Sequence, residues 1–347
     1  MAINLLDLEE VKINSGLAGK IILIYSGNNQ GKSKVASQLF PKQTLFLATE
    51  KGYNSLGGIK KVDITDWKTF REVVSSLTPK KEEELKKVQD AYKCVVVDVA
   101  DRLPEMCQGY ICSKNGVDNI SDIAWGGGYA QLKQEFSNQL NKLVLGSYCV
   151  ILICHEVTRE ITDPVTGEKY EYTQPRSTET KVGEILKDLP DFAIFLQNMG
   201  CDENGNVIHS NGITTQHKNV FARSRFSQCP PKIEPFSALG LRETIKYACE
   251  KEAETLGLEC VNYEEYIEQE LREKIAKTKT RPQLLEEIKP ILMSLYSSGN
   301  QEETTSIVEK YLGEGVKVSS ATDGQIDKLE FILNDLKDMA ERKGLDV

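Results

Sequence analysis

The sequence lacks several features that mark common protein classes. It has only three histidines, and its nine cysteines, an odd number, include no C-x-x-C pair. These counts argue against a zinc knuckle and against a disulfide framework, so we expect reduced and mostly buried thiols. No apolar run is long enough to span a bilayer, and residues 1–10 lack the apolar core of a signal peptide. We therefore expect a cytoplasmic protein without a membrane partner.

The sequence also lacks an excess of basic residues. Its 347 residues carry a formal net charge of -9, and the pI is near 5.2. A general basic coat for nucleic acid is therefore excluded, and any contact with nucleic acid must use local patches. The hydrophobic content of 40% over this length is enough for one large domain and a smaller one.

What the sequence does have is a phosphate-binding loop between a predicted strand and a predicted helix. An apolar run over 21–25 leads into Ser-Gly-Asn-Asn-Gln-Gly-Lys-Ser, which fits G-x-x-x-x-G-K-[ST] at every defining position except the first. Backbone N–H groups of such a loop surround phosphate oxygens, and the helix start adds partial positive charge. The predicted nucleotide-binding residues are Ser26, Gly27, Asn28, Asn29, Gln30, Gly31, Lys32 and Ser33.

Two residues of this loop have predicted roles in chemistry. Lys32 would reach the β- and γ-phosphates of ATP, and Ser33 would hold Mg²⁺. Ser26 stands where the pattern has its first glycine, which favours nucleotide binding more than fast hydrolysis. The alternative is an ordinary strand-to-helix turn that contains Gly-Lys-Ser.

Three further polar side chains, Glu50, Asp98 and His155, come directly after apolar runs. In a mainly parallel sheet the carboxyl ends of the strands meet at one edge, so these side chains should converge on the loop. Asp98 is predicted to belong to the Mg²⁺ site and to order the ion through water. Glu50 is predicted to polarise the attacking water as a general base, and His155 to donate a hydrogen bond to the γ-phosphate. Each residue also has a structural alternative. Asp98 could cap a helix, Glu50 could be a solvated carboxylate in a turn, and His155 could bond to the backbone at the strand end.

Outside these candidate site residues, the turn signals and the spacing of apolar residues predict an α/β core followed by helices. Asp-Pro-Val-Thr-Gly over 163–167 predicts a hairpin tip, and Asn204-Gly205 and Asn211-Gly212 predict turns between antiparallel strands. After the prolines at 230–235 the chain becomes helix-forming and acidic, and the last helix, ending near 343, keeps apolar residues at a spacing of 3–4. We predict a nucleotide-binding domain over 1–240, with a mainly parallel sheet, and a helical C-terminal region over 241–347.

Several runs in the chain, taken in order, resemble the RecA-like nucleotide-binding proteins of phages and prophages. They are the phosphate loop with its strand, the run 45–52, Val96-Val97-Asp98, Trp125-Gly126-Gly127-Gly128-Tyr129 and the run 151–156, and they extend over about 20–236. The resemblance implies a RecA-like P-loop NTPase core that uses ATP and Mg²⁺. It also implies single-strand-DNA binding in phage recombination, and it places Glu50 where RecA-type sites carry the catalytic base. Ser26 departs from the glycine usual in this family.

The resemblance further implies a homo-oligomer, a ring or a filament, in which basic residues of one subunit complete the next one's site. Arg223 and Arg225 lie in the matching place, and a surface basic cluster is the alternative. DNA contact in this family comes from loops after the third and fourth core strands, here about 101–125 and 158–181. The predicted DNA-binding residues in the second loop are Arg159, Lys169, Tyr170, Tyr172, Arg176 and Lys181. Interleaved acidic residues leave a solvated hairpin as the alternative.

The leading interpretation is an ATP-binding, ATP-hydrolysing RecA-like protein that binds single-stranded DNA in phage recombination or replication, within the host cytoplasm. The final helix resembles the C-terminal tails of phage recombination proteins, which implies a partner that docks there. One alternative is a ring helicase motor on the same core, and another is a module that uses nucleotide as an assembly switch without turnover. A small-molecule kinase is disfavoured because no arginine-rich lid follows the core.

Overall fold

The computed structural model describes residues 12–51, 56–176, 180–201, 203, 208–262, 281–322 and 325–345. The chain forms two compact units, Met1–Tyr266 and Ile267–Val347, which we call the core unit and the C-terminal unit. The sequence pattern predicts a boundary at residue 240, and the structure divides the chain later than this. The reason is a helix over Ala238–Leu256 that belongs to the core unit.

The core unit alternates strands and helices along the chain. Its helices are α1 (Lys32–Leu39), α2 (Trp67–Leu77), α3 (Glu82–Ala91), α4 (Leu103–Asn115), α5 (Gly127–Leu145), α6 (Thr180–Asp188) and α7 (Ala238–Leu256). Its strands are β1 (Ile13–Asn14), β2 (Ile21–Ser26), β3 (Thr44–Ala48), β4 (Lys60–Asp63), β5 (Cys94–Asp98), β6 (Cys149–Thr162), β7 (Lys169–Pro175), β8 (Phe192–Gln197), β9 (Asn211–Ile213), β10 (Arg223–Ser224), β11 (Lys232–Ile233) and β12 (Cys260–Val261).

One large sheet organises the core unit, with strand order β11-β9-β8-β2-β6-β5-β3-β4. The strands from β8 to β4 in this order run parallel, while β9, β10 and β11 add antiparallel pairs at one side. Strand β6 lies between β2 and β5 and runs parallel to both. The end of β2, before the phosphate loop, and the end of β5, at Asp98, therefore lie at the same edge of the sheet. The predicted α/β fold with a mainly parallel sheet and a P-loop core is confirmed.

Both faces of this sheet are covered, which explains why its strands are apolar throughout. Alternate residues of β2 point to opposite faces. Ile21, Leu23 and Tyr25 pack in one cluster with side chains of α2, α4 and α5, while Ile22 and Ile24 pack in the other with α1 and α7. Helix α7 contributes four buried side chains to the second cluster, namely Leu241, Ile245, Ala248 and Cys249. This packing holds α7 in the core unit.

Strand β6 continues beyond the sheet into a hairpin with β7. The residue pairs run from Glu156 opposite Pro175 to Thr162 opposite Lys169. At the tip, the carboxylate of Asp163 accepts hydrogen bonds from the backbone N–H groups of Val165 and Thr166, at 2.8 and 3.1 Å. The hairpin tip predicted over 163–167 is therefore confirmed.

The prediction of a turn at Asn211-Gly212 is wrong. These residues begin β9, and Gly212 is buried in the sheet opposite Leu196 and Ile233. A β-carbon at Gly212 would lie 2.8 Å from the Phe236 ring. The glycine therefore meets a need for close packing and not for a turn. The other predicted turn, Asn204-Gly205, lies outside the described residues.

The glycine run at the start of α5 gives a test of close packing. A β-carbon at Gly128 would lie 2.4 Å from the carbonyl oxygen of Ile120, whereas a β-carbon at Gly109 within α4 would meet no atom within 4 Å. We expect Gly128→Ala to lower the free energy of unfolding by about 1–3 kcal/mol. We expect Gly109→Ala to raise it by about 0.5–1 kcal/mol, because alanine favours a helix interior over glycine. Denaturant unfolding of both variants checks this, and equal effects would contradict the described packing.

The C-terminal unit is helical, with α8 (Arg281–Ser297), α9 (Gln301–Leu312) and α10 (Ile326–Arg342) around one apolar cluster. The apolar face predicted for the last helix is confirmed by the burial of Leu329, Ile332, Leu333, Leu336 and Met339. A docking partner for this helix stays a prediction. Among the described helices, none combines the length and the apolar character needed to cross a membrane.

Candidate nucleotide-binding site

The side chain of Lys32 folds back onto the phosphate loop. Its Nζ donates hydrogen bonds to the carbonyl oxygens of Ser26 and Gly27, at 3.1 and 2.6 Å, and to the hydroxyl of Ser26 at 3.1 Å. Burial lowers the pKa of Lys32, and the carboxylate of Asp98 opposes this shift. The ammonium group is therefore held inside the loop, where a phosphate oxygen would give it a charged partner.

Ser33 and Asp98 lie in direct contact although they are 65 positions apart. The hydroxyl of Ser33, in the first turn of α1, donates a hydrogen bond of 2.6 Å to Oδ2 of Asp98 at the end of β5. Mg²⁺ in nucleotide sites usually takes one or two protein oxygens and completes its shell with water and phosphate. A hydroxyl and a carboxylate at one point fit this requirement. No group of three or more His, Cys, Asp or Glu side chains suited to a metal ion occurs in the part of the chain that the structure describes.

A cavity of about 500 Å³ opens at this edge of the sheet. It is lined by Asn28, Asn29, Gln30, Gly31, Lys32, Ser33, Lys34, Glu50, Lys51, Leu56, Asp98, Val99 and His155. Among the residues that the structure describes, no side chain caps the start of α1, which begins after Gly31 in the left-handed region at φ 85°. The first N–H groups of α1 therefore face the cavity without an intrahelical partner, and an anion fits there. The volume is within the range of pockets for small ligands.

Glu50 lies at the margin of the same cavity. The preceding residue, Thr49, is fixed because its hydroxyl bonds both backbone groups of Val99, each at 2.8 Å. Arg102 donates to the carbonyl oxygen of Thr49 at 3.3 Å, and its Nη1 lies 3.8 Å from Oε1 of Glu50. Glu50 is thus held at the edge of the sheet, partly exposed to solvent, where a water molecule can approach it.

Residues 18–226, more than half of the chain, match the family model described as AAA domain. The chain belongs to the AAA domain family. The chain is also 31% identical over 340 residues to the SPbeta prophage-derived uncharacterized protein YorG of Bacillus subtilis (strain 168). The aligned residues cover 98% of this chain and 99% of that protein.

The AAA domain match supports a P-loop nucleotide-binding protein, and the similar protein of Bacillus subtilis is described as prophage-derived. The finer resemblance to RecA-like recombination proteins stays a prediction, and so do the individual site residues. One cavity in the AAA domain is lined by loop residues 28–33 together with Glu50, Asp98 and His155. They meet because β2, β6, β5 and β3 are parallel neighbours that leave the sheet at the same edge.

His155 contacts a buried carboxylate that the sequence does not reveal. Asp101 is 1% exposed and follows β5 in a short 3₁₀ helix. Its Oδ2 lies 3.0 Å from Nδ1 of His155 and accepts a hydrogen bond from Nε of Arg176, also at 3.0 Å. The only signal in the sequence is that Asp101 comes three positions after Asp98, next to Val99 and Ala100.

Arg223 and Arg225 lie away from the cavity of their own AAA domain. Strand β10 pairs with the start of β8, and this part of β8 lies beside Ile22 of β2. At the usual rise per residue, Ile22 lies about 13 Å along β2 from the start of the phosphate loop. The two guanidinium groups donate to carbonyl oxygens at the C-terminal end of α6, at 3.2 and 3.0 Å. Cations at this position also stabilise the helix. A role for either arginine in a neighbouring subunit's site stays a prediction.

The β6–β7 hairpin of the AAA domain separates the predicted DNA-binding residues by face. Arg159 lies directly opposite Tyr172, and Tyr170 lies two positions further along the same face. Lys169 is on the other face, where it forms an ion pair of 2.7 Å with Glu160. Arg176 is engaged with Asp101. The side chain of Lys181 lies outside the described residues.

Proposed function

We propose that the AAA domain binds ATP together with Mg²⁺ and hydrolyses it. The observation that carries this proposal is the convergence of Lys32, the Ser33–Asp98 contact, Glu50 and His155 on one cavity at the carboxyl ends of parallel strands. A cavity with this set of a cation, an oxygen pair and a free helix start suits a nucleoside triphosphate better than an uncharged ligand.

Some residues of the cavity would bind ATP and Mg²⁺, and others would take part in the hydrolysis reaction. The N–H groups at the start of α1 and the Lys32 ammonium bind phosphate oxygens. Ser33 and Asp98 would hold Mg²⁺, which neutralises phosphate charge when bound. Glu50 is the polar group placed to take a proton from water, because it is held at the cavity margin and is partly exposed. His155 is placed to donate a hydrogen bond to a phosphate.

Isothermal titration of the whole chain tests the binding part of this proposal. We expect one ATP per chain in the presence of Mg²⁺ and much weaker binding when the metal is chelated, since Ser33 and Asp98, which lie in contact, would hold the Mg²⁺ that neutralises phosphate charge. Equal affinity with and without the metal would contradict the assigned role of this pair.

We further propose that the β6–β7 hairpin binds single-stranded DNA. Its face with Arg159, Tyr170 and Tyr172 gathers further cations. Nζ of Lys218 lies 5.2 Å from the centre of the Tyr170 ring, and the pKa of Lys187 is lowered first by burial and then by the charge of Arg159. The acidic residues Glu160 and Glu171 face the opposite side.

Rings and cations on one face match what sequence-independent binding of single strands requires, namely base stacking and neutralisation of phosphates. The alternation of the hairpin places two of the interleaved acids, Glu160 and Glu171, away from this face, while Glu168 near the tip lies 4.0 Å from Lys218. The prophage origin of the relative supports a role for this activity in phage recombination or replication.

A pair of hairpin variants tests this face. We expect Tyr172→Ala to weaken binding to an oligo-dT strand by about 5–100-fold, the range for one lost stacking contact. We expect Arg159→Ala to weaken it and to lower the salt dependence by about one phosphate contact. Fluorescence anisotropy at several salt concentrations measures both effects.

Lys169→Ala is the matched variant on the opposite face. Because Lys169 already pairs with Glu160 and points away from the rings, we expect a loss of less than about threefold. A loss as large as that of Arg159→Ala would show that overall charge matters and not the face of the hairpin.

A further inference from the structure

The buried carboxylate of Asp101 joins the nucleotide cavity to the base of the hairpin. His155 is the last residue of β6 that pairs with β2, opposite Ser26, and it lines the cavity. Arg176 directly follows β7, and its backbone N–H donates to the carbonyl oxygen of His155 at 2.8 Å. Asp101 lies beneath both residues and bonds both. Any change at His155 therefore reaches the hairpin within two contacts.

The ring of His155 has two possible partners at one nitrogen. Its Nδ1 lies 3.0 Å from Oδ2 of Asp101 and 3.0 Å from Nη2 of Arg176. A neutral imidazole either donates a proton from Nδ1 to the carboxylate or accepts one from the guanidinium at Nδ1, and Nε2 then takes the opposite role. Phosphate oxygens of ATP accept hydrogen bonds. A phosphate in the cavity would therefore favour a proton on Nε2 and a bond from Arg176 to Nδ1.

The second carboxylate oxygen of Asp101 can accept a hydrogen bond when His155 donates from Nδ1 to the first. Its side chain is fully buried, and Oδ1 has no hydrogen-bond partner among the described residues. An unpaired buried oxygen is costly, and arginine commonly binds both oxygens of a carboxylate. When Nδ1 of His155 donates to Oδ2, Arg176 can move its second N–H group from the ring to Oδ1. The cluster can therefore form two hydrogen-bonding patterns with the same three residues, of which the structure shows the one that leaves Oδ1 unpaired.

We propose that Asp101 is a positioning residue that orients His155 in the cavity and, through Arg176, couples nucleotide binding to DNA binding by the hairpin. This inference rests on the proposed function, because it takes ATP as the ligand of the cavity and single-stranded DNA as the ligand of the hairpin. Phosphate in the cavity selects the pattern in which Arg176 bridges His155 and Asp101. Loss of the phosphate allows Arg176 to shift onto Oδ1, which changes the base of the hairpin.

The test measures coupling in the whole chain. The affinity for an oligo-dT strand is determined with and without a saturating non-hydrolysable ATP analogue and Mg²⁺, and the affinity for the analogue with and without DNA. In the natural chain we expect each ligand to change the affinity for the other by the same factor, at least about fivefold. In Asp101→Asn we expect this factor to fall below about two, with each separate affinity changed by less than about fivefold.

Arg176→Lys is the second variant, because it keeps the charge beside Asp101 and removes only the planar fork that reaches both partners. We expect it to lose the coupling in the same way, and it avoids an altered buried carboxylate. Asp90→Asn, at an exposed position on α3 outside both predicted DNA-contact loops, is the control for loss of one negative charge and should keep the coupling.

A spectroscopic signal separates positioning from simple loss of stability. The chain has three histidines, His155, His209 and His217, so the ring ¹⁵N signals can be assigned with a His155→Gln variant. We expect the analogue to place the His155 proton on Nε2 in the natural chain and not in Arg176→Lys.

The outcomes are distinct. Retained coupling in both variants, or ATP binding by the natural chain without coupling, would overturn the inference and leave nucleotide binding intact. Absence of ATP binding by the natural chain would overturn the proposed function and the inference with it.

Discussion

Replacing Lys32 with alanine is expected to lower ATP turnover by about 10²–10³-fold, the usual cost of removing one group that stabilises developing charge. The variant loses the cation whose Nζ is bonded to the loop carbonyl oxygens at the cavity. ATP affinity should fall as well, because Lys32 would bind phosphate in the ground state. Turnover and calorimetric binding, measured side by side, check both effects.

The fold of this variant should be intact. Burial lowers the pKa of Lys32, which means that the folded protein holds the charged form at a cost. Its removal takes away three hydrogen bonds to the loop and also this cost, so we expect little change in the unfolding midpoint. Lys68→Ala, at an exposed position on α2, is the matched control and should retain full turnover. Equal loss in both variants would contradict the role given to Lys32.

The second large effect is expected for Glu50→Gln. If Glu50 takes the proton from water, the isosteric amide should lower turnover by about 10²–10⁴-fold. ATP affinity should stay within about threefold, because the loop, Ser33 and Asp98 are unchanged. The side chain is already partly exposed, so the substitution buries no new polar group. Single-turnover hydrolysis and calorimetry separate the two quantities.

Glu83→Gln, on the exposed surface of α3, is the control for loss of one carboxylate and should not affect turnover. A Glu50→Gln variant that keeps its turnover would remove Glu50 from the reaction. Such a result would direct attention to other groups at the cavity that can order water, His155 above all.

Local sequence patterns were sufficient to predict the parts of the fold that depend on neighbouring residues. The run into Gly31-Lys32-Ser33 gave strand, loop and helix, because an apolar strand and a helix start are both local features. The spacing of apolar residues gave the last helix for the same reason. Asp98 was predicted from its place after a strand, and its contact with Ser33 then followed from strand order.

Features that depend on packing could not be predicted in this way. Asn211-Gly212 has the composition of a turn, yet Gly212 lies in a strand that pairs with Leu196 and Ile233, and Phe236 occupies the space that a β-carbon would need. Helix α7 follows prolines that resemble a boundary, yet it covers the sheet. The burial of Asp101 is a property of the assembled sheet edge, and no local pattern indicates it.

The β6–β7 hairpin was predicted from the sequence in part only. The sequence predicted its turn, but the mixture of cations, rings and acids in 158–181 left its purpose open. The residue pairing sorts these side chains, with Arg159 and Tyr172 on one face and Glu160 and Lys169 on the other. Because alternation in strands has a period of two, this sorting depends on a register that only the paired strands define.

The most direct test of the account is ATP hydrolysis by the whole chain with Mg²⁺, measured with and without single-stranded DNA and beside Lys32→Ala. We expect turnover that depends on Mg²⁺, rises when DNA is added and disappears in the variant. Nucleotide binding without turnover would favour an assembly switch and would leave Ser26 and Glu50 to be explained. Absence of both nucleotide binding and turnover in the natural chain would contradict the function proposed for the cavity.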